Sequence, residues 1–181
     1  KLLSELKEYF GEQRQLSISR ELTKKFEETF RGTVNEALNH FTQKEPKGEF
    51  VVILNNDTIV AAGWLKRLME AMEKDPLIGI ISPVTNYVGE GPQVDADAGN
   101  FPPDIEIINQ YAESIFDRSD LLYEPNRLVF FCVMLRRELI DIIGSLDESY
   151  EKGNFEDDDY CLRTRMTGYR LAIARNAFVY H

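Results

Sequence analysis

The chain has 181 residues, of which 43% are hydrophobic and 29% are charged, and its net charge is −10 at pH 7. This length and composition are typical of one globular domain with a sizeable core. A strongly acidic surface repels phosphate backbones, so we expect no nucleic-acid partner. The longest apolar runs, such as Phe50 to Leu54, are far too short to cross a bilayer.

The first 45 residues carry apolar residues at helical spacing and end at a polar turn, Lys44 to Gly48. This spacing predicts helices in this region. The apolar stripes are Leu2/Leu6/Tyr9, Leu22/Phe26/Phe30 and Val34/Leu38/Phe41.

A strand, a helix and a second strand are predicted next. Phe50 to Leu54 is a continuous apolar run of β-forming residues, as expected for a strand covered on both faces. An amphipathic helix follows from Trp64 to Met72 and closes near Asp75-Pro76, and Ile78 to Ser82 forms another buried strand. This order predicts a right-handed crossover and a parallel pair of strands.

The second half of the chain begins with a long segment rich in Gly, Pro, Asp and Asn, from Tyr87 to Pro103. Its length indicates a functional loop, and Gly89 to Pro92 could order over a bound ligand. Further helices are predicted at 105–116, 138–143 and 156–167, and further strands at 128–135, 170–174 and 178–180.

Polar side chains follow the first buried strand directly, at Asn55, Asn56 and Asp57. Ligands bind at this end of the strands in open α/β sheets, and a carboxylate beside two amides suits a hard divalent cation. The alternative is structural, because Asn and Asp also turn the chain and cap helices.

Four adjacent carboxylates, Glu156 to Asp159, begin the predicted helix 156–167. A helix N-terminus offsets part of their repulsion, and Arg163 can pair with Asp159 one turn later. The cluster is either a solvated helix start or the place of a general base near a cationic ligand. A lone histidine after a strand, such as His181, is usually structural or merely exposed.

Taken together, these segments resemble the family 2 glycosyltransferases, from about Phe26 to His181. The resemblance implies an α/β fold of the GT-A type that binds nucleotide-sugars, with a mostly parallel central sheet flanked by helices. The matching motifs, in order, are Gly48 to Thr58 with Gly63-Trp64-Leu65, Ile81 to Asn86, Arg136-Arg137-Glu138 with Gly144 and Leu146-Asp147-Glu148, Phe155 to Arg163 with Gly168-Tyr169-Arg170, and Val179-Tyr180-His181.

The resemblance implies roles for the polar residues named above. Asp57 and His181 would bind a divalent metal, Mg²⁺ or Mn²⁺, and Asp57 would contact the donor together with Asn55 and Asn56. Asp157 would be the catalytic base and Glu156 would help to position the acceptor. The nucleotide would also contact a residue in the helical region, Asn35.

The implied reaction is metal-dependent, inverting transfer of a sugar from a nucleotide-sugar to a saccharide, glycolipid or glycoprotein acceptor, as in polysaccharide biosynthesis for the cell envelope. Two alternatives stay open: a sugar-phosphate nucleotidyltransferase, and a non-catalytic domain for carbohydrate binding or assembly. The two cysteines, Cys132 and Cys161, form no close pair typical of zinc sites or disulfide frameworks, so we expect a cytoplasmic protein that could act at the inner membrane face.

Three departures from the family pattern matter. Asn55 stands in place of a frequent Asp, which would weaken metal binding, and Phe130 stands where many relatives have Gly, which would narrow the acceptor pocket. The family's first strand and its Asp-Gly-Ser turn are missing. We therefore expect one partial catalytic domain over 1–181, with 1–45 as the remnant of the nucleotide-binding half and 46–181 as the metal and acceptor half.

That missing strand has two expected consequences. The chain could fold without being an active enzyme, because the turn holds much of the nucleotide base. A parallel sheet without its first strand also leaves an unpaired edge, so we expect either self-association through the N-terminal region or a rearrangement of that region away from the family's layout.

Overall fold

A sheet of six strands forms the centre of the molecule in a computed structural model that describes residues 34–39, 48–150 and 155–181. The strands are β1 (Phe50–Leu54), β2 (Ile59–Val60), β3 (Ile78–Val84), β4 (Leu122–Tyr123), β5 (Cys132–Arg136) and β6 (Arg170–Tyr180). The helices are α1 (Trp64–Lys74), α2 (Ile105–Ser114), α3 (Arg137–Ile143) and α4 (Glu156–Met166), and residues 34–39 are also helical. The helices predicted within residues 1–33 lie outside the described residues.

The order of the strands is β1-β5-β3-β6-β2, with β4 also paired to β6. Only β3 and β6 pair in parallel among these strands of the described chain, whereas β5 runs antiparallel to both β1 and β3. The sheet is therefore mixed, and the predicted mostly parallel sheet is wrong. β1 and β3 do run in one direction, but β5 lies between them and takes the hydrogen bonds that the local strand-helix-strand pattern assigned to a direct pair.

Two hydrophobic clusters cover the two faces of the sheet. Side chains alternate along a strand, so Ile80 packs on one face of β3 while Ile81 packs on the other. α1 covers the second face with four buried residues, Trp64, Leu68, Met69 and Met72. Tyr160 and Cys161 of α4 belong to the first face. The prediction that helices flank a buried sheet is confirmed.

Most of the predicted elements are present, with shifted ends. β5 begins at Cys132 and not at Leu128, and β6 is one strand of 11 residues where two short strands were predicted. Gly144 and Gly168 follow α3 and α4 with φ angles of 76° and 90°, which favour glycine. In the described parts of the chain, no helix has the length and apolar character that crossing a bilayer requires.

The topology gathers several chain segments at one edge of the sheet, which we call the carboxyl edge. β1, β3 and β6 all end there, and β5 begins there. α4 packs on β6 and is joined to it by a short turn, so its first residues also point back toward this edge. The carboxyl edge therefore comprises residues 55–57, 85–87, 127–131 and 181, together with the start of α4.

Candidate functional site

Asp57 and His181 meet at the carboxyl edge. The Nε2 atom of His181 lies 3.4 Å from the Oδ1 atom of Asp57. The Asp57 side chain is 69% exposed and the His181 side chain 18% exposed, so solvent reaches the pair mainly from the aspartate side. The sequence-based expectation that these two side chains are neighbours is thus met, whereas their role as metal ligands stays a prediction.

The His181 ring has a fixed orientation. Its Nδ1 atom lies 3.0 Å from the main-chain oxygen of Tyr87, which can only accept a hydrogen bond, so Nδ1 carries the hydrogen and donates it. The Phe131 ring packs against the imidazole with a centroid distance of 5.4 Å. These contacts turn Nε2, the remaining ring nitrogen, toward Asp57. Histidine ligands of metals are commonly held in this way, through the nitrogen that does not bind the metal.

The spacing of this pair fits a divalent cation. Ligand distances of about 2.1 Å would put two ligands of one ion about 3.0 Å apart at a right angle and about 3.4 Å apart at a tetrahedral angle. Within the described residues there is no group of three or more His, Cys, Asp or Glu side chains that could hold a metal. The donor set therefore suits an ion that takes its other ligands from substrate phosphates and water, as Mg²⁺ usually does.

The segment that follows β1 forms a turn at the edge of the sheet. The Asn55 main-chain N–H donates to the main-chain oxygen of Phe131 at 2.8 Å. The Asn55 main-chain oxygen accepts a hydrogen bond from the Thr58 hydroxyl at 2.8 Å. The alternative role, in which these residues turn the chain, thus accounts for the main-chain contacts of this segment. Asn56 and Asp57 are exposed, and the donor-binding role of Asn55, Asn56 and Asp57 stays a prediction.

The four carboxylates at the start of α4 have different surroundings. Asp159 accepts a hydrogen bond from Arg163 at 2.8 Å, which confirms the predicted pair, and Asp158 lies 3.6 Å from Arg127. Among the described residues, neither Glu156 nor Asp157 has a cationic partner. Two of the acids are therefore explained as structural and the other two are not.

The pKa of Asp157 is raised, chiefly by burial and further by the negative charges of Asp158 and Glu156. A hydrogen bond from the Asp158 N–H, at 2.9 Å, offsets only part of this effect. Glu156 is 8% exposed, and its Oε2 atom has no hydrogen-bond partner in the described part of the chain. A carboxylate with a raised pKa is a better proton acceptor, so Asp157 has the property that a general base requires.

The start of α4 is held in place from two sides. Arg163 donates to the main-chain oxygens of Ile143 and Ser145 at 2.7 and 3.0 Å, and the Tyr160 hydroxyl donates to the Gly144 oxygen at 3.0 Å. The Leu128 N–H approaches the Cys161 sulfur at 3.3 Å. The turn after α3 and the segment before β5 therefore fix where the carboxylates lie. Cys132 and Cys161 are both buried and free.

A short stretch before β5 connects the carboxylates to the Asp57–His181 pair. Arg127 contacts Asp158, and Phe131 packs on His181. Four residues of extended chain span at most about 14 Å, so Arg127 and Phe131 cannot be farther apart than this. Residues 128–131 belong to the strand predicted at 128–135, and the role of the stretch 127–131 as a connector was not recognised from the sequence.

Two other residues singled out from the sequence have structural partners. Asn35 is buried, donates to the Leu146 oxygen and the Glu148 carboxylate at 2.9 Å each, and accepts from the Leu146 N–H at 2.8 Å. Both hydrogens of its amide are used in these structural contacts, and its contact with a nucleotide stays a prediction. Phe130 is buried and packs edge-on against Tyr160 with ring centroids 5.9 Å apart.

Sequence comparisons reach only parts of the relatives. No protein-family profile matches the chain. The chain is 27% identical over 157 residues to the uncharacterized protein y4gI of Sinorhizobium fredii, which covers 80% of the chain and 16% of that protein. It is 41% identical over 56 residues to the ribosomal RNA small subunit methyltransferase I of Synechocystis sp. This match covers 31% of the chain and 20% of that enzyme. The chain thus spans a fifth or less of these relatives.

Solved structures resemble most of the chain. A structure of GalNAc-T7 with UDP, GalNAc and Mn²⁺ superposes with a TM-score of 0.60 and 14% identity, covering 85% of this chain and 30% of that one. The mannosyltransferase PcManGT from Pyrobaculum calidifontis, in complex with GDP-Man and Mn²⁺, gives a TM-score of 0.53 and 18% identity. The match covers 83% of this chain and 35% of that one. Both neighbours are GT-A glycosyltransferases, and the chain shares their fold.

Proposed function

We propose that this chain is the greater part of a glycosyltransferase catalytic domain that transfers a sugar from a nucleotide-sugar, with inversion, to a hydroxyl acceptor. The observation that carries the proposal is the Asp57–His181 pair, with its atoms 3.4 Å apart at the carboxyl edge of a GT-A fold. The family 2 motifs support it, and so do the carboxylates Glu156 and Asp157 on the same edge, which have no cationic partner among the described residues. Both structural neighbours were solved with a nucleotide and Mn²⁺.

Asp57 and His181 would hold the cation, Mg²⁺ or Mn²⁺, which would supply positive charge to the departing diphosphate. Asp157 accepts the proton of the acceptor hydroxyl as that oxygen bonds to the anomeric carbon. In the same step the bond between that carbon and the diphosphate oxygen breaks, and its electron pair leaves with the diphosphate. This single displacement inverts the anomeric centre. Glu156, beside Asp157, accepts a hydrogen bond from another acceptor hydroxyl.

Other functions have less support. A nucleotidyltransferase would be expected to show a Gly-rich, basic phosphate loop, whereas the closest-spaced glycines of this sequence, Gly89 and Gly91, flank an acidic residue, Glu90. A non-catalytic binding domain would not require the pairing of Asp57 with His181. The similarity to the rRNA methyltransferase covers about a third of the chain, and the net charge of −10 disfavours an RNA partner.

The test is a transfer assay with UDP- and GDP-sugars in the presence of Mn²⁺, followed by NMR assignment of the product anomer. We expect release of nucleoside diphosphate that requires Mn²⁺, and a product anomer opposite to that of the donor. Asp57→Ala and His181→Ala should each lose this release, whereas Asp97→Ala, which removes a carboxylate that is 84% exposed, should not. Release that is equal without Mn²⁺ or in both site variants would contradict the proposal.

A further inference from the structure

The main chain at the end of β3 leaves its neighbour before that neighbour ends. β3 and β6 pair in parallel up to Val84 and Phe178. Thr85 then turns away from β6. Its main-chain N–H donates to the main-chain oxygen of Gln93 at 3.0 Å, and its main-chain oxygen accepts from the N–H of Asp95 at 2.8 Å. The main-chain groups of residue 181 therefore lie beyond the last backbone partner that β3 supplies.

One side chain takes over this pairing. The Asn86 Nδ2 group donates to the His181 main-chain oxygen at 2.8 Å, and the His181 N–H donates to Asn86 Oδ1 at 2.9 Å. The amide thus imitates the next rung of the sheet with one donor and one acceptor. The following residue, Tyr87, accepts the hydrogen of the His181 ring at 3.0 Å.

We propose that Asn86 is a positioning residue for the metal ligand His181. This inference rests on the proposed function, in which His181 binds the metal. Asn86 holds the backbone of His181 at two points, and this places the ring where Tyr87 can bind Nδ1. With Nδ1 occupied, the lone pair of Nε2 is directed at the metal position beside Asp57. Loss of the amide frees the backbone and lets the ring exchange between its two tautomers, so that Nε2 is no longer reserved for the metal.

The experiment measures Mn²⁺ binding to the metal-free protein by titration calorimetry, together with the ¹⁵N NMR signals of the His181 ring. Changes that disturb the support of a metal-binding histidine typically lower metal affinity by about 10–100-fold, and we expect a loss in this range for Asn86→Ala. The wild-type ring should show the tautomer with hydrogen on Nδ1, and the variant a mixture of both. Asn86→Leu, which keeps the side-chain volume, gives the same test if Asn86→Ala does not fold.

Asn109→Ala is the matched control, because the Asn109 amide also accepts a main-chain hydrogen bond, from Ala62 at 2.8 Å, but does not contact His181. It should leave the Mn²⁺ affinity and the His181 signals unchanged. Wild-type affinity and a single tautomer in Asn86→Ala would overturn the positioning role and leave the proposed function standing. A wild-type protein that binds no Mn²⁺ would instead overturn the proposed function, and this inference with it.

Discussion

The carboxylates that open α4 show how neighbouring residues of one type can differ in chemistry. Asp158 and Asp159 each face an arginine, and these ion pairs explain both carboxylates as structural. Asp157 has no such partner among the described residues, and burial with adjacent negative charge raises its pKa. A difference of this kind between neighbouring acids commonly separates a proton acceptor from its structural neighbours.

Asp157→Asn should lower kcat for sugar transfer by about 10²–10⁴-fold, the usual contribution of a general base. Donor affinity should stay near that of the wild type, because the change removes proton transfer and no phosphate contact. Steady-state kinetics and nucleotide-sugar titration measure the two quantities. The control is Asp158→Asn, whose partner Arg127 is 46% exposed, and it should keep most of the activity. Full activity in Asp157→Asn would exclude this residue as the base.

The raised pKa of Asp157 gives two pH effects of opposite sign. Transfer should fall as the pH falls through this pKa, because a protonated carboxyl cannot accept a proton. Stability changes the other way: the folded state binds this proton more readily than the unfolded chain, so the contribution to folding is present at low pH and is lost as the pH rises. Asp157→Asn should therefore melt above the wild type at neutral pH, with the difference shrinking in acid.

Residue-level reasoning from the sequence worked where the chemistry depends on strand ends. Asp57 and His181 each follow a strand, and strands that run in one direction end at one edge of a sheet. The same reasoning did not predict the hydrogen-bond and ion-pair partners of these residues, because such partners come from segments that are distant along the chain. Nothing in the sequence near Asp158 indicates Arg127, and nothing near His181 indicates Asn86.

At the scale of elements, a buried ion pair fastens the long loop between β3 and α2. Asp95 and Arg118 form a hydrogen-bonded pair with side chains 6% and 18% exposed, and Arg118 also donates to the Arg175 main chain at 3.3 Å. The loop begins under similar restraint, because Gln93 donates to the Val129 oxygen at 2.8 Å. Gln93 and Asp95 are thus anchored, and Arg127 also donates to the Glu90 main-chain oxygen at 3.1 Å. The role of Gly89 to Pro92 as a segment that orders over a ligand stays a prediction.

Asp95→Asn should destabilise the fold by about 3 kcal/mol, toward the lower end for breaking a buried pair, because Arg118 then keeps only the exposed carboxylate of Asp97 as a charged partner. Burial raises the pKa of Asp95, but the hydrogen bond from Arg118, further hydrogen-bond donors nearby and the Arg118 charge together outweigh it and hold the pKa below its usual value. This stabilisation is therefore present above the ordinary carboxyl range and is lost as the pH falls through the lowered pKa. Urea unfolding at several pH values measures both effects.

The control for this prediction is Asp97→Asn. Asp97 also contacts Arg118, at 3.3 Å, but its side chain is 84% exposed. Exposed pairs of this kind contribute about 0–1 kcal/mol, so the variant should unfold close to the wild type. Equal destabilisation by Asp95→Asn and Asp97→Asn would show that burial of the pair is not what holds the loop.

The elements themselves were largely predictable, and their order in the sheet was not. α1 and α2 were predicted from periodicity because their buried residues recur at helical spacing, and β3 was predicted as a buried strand and is buried along its whole length. The position of β5 between β1 and β3 depends on pairing between residues about 80 apart along the chain, such as Leu54 with Cys132. β2 and β4 have two residues each, too few to show any period.

At the scale of the whole molecule, local hydrophobic patterns were enough to predict an α/β fold. The GT-A type was predicted only from the resemblance of motifs that are scattered along the chain. The division into 1–45 and 46–181 and the self-association through the N-terminal region stay predictions, because residues 1–33 lie outside the described chain. Light scattering of the wild type, compared with a variant in which Leu22, Phe26 and Phe30 are replaced by Ser, would measure that association.

The metal and the nucleotide should stabilise the whole fold together. A ligand that binds only the folded state adds about 2.7 kcal/mol at 100 times its Kd, which for a domain of this size corresponds to about 5–10 °C in Tm. A cation shared between Asp57, His181 and a diphosphate makes each ligand bind better in the presence of the other. We therefore expect UDP or GDP with Mn²⁺ to raise Tm by more than the sum of their separate effects.

Calorimetry with four samples, containing no ligand, Mn²⁺, nucleotide, or both, measures this excess. Uridine monophosphate is the matched ligand, since it lacks the second phosphate that the cation would share, and its excess should be small. In Asp57→Ala the excess should disappear even if the nucleotide alone still stabilises the protein. Additive shifts in the wild type, or the same excess in Asp57→Ala, would mean that the cation and the diphosphate do not meet at this pair.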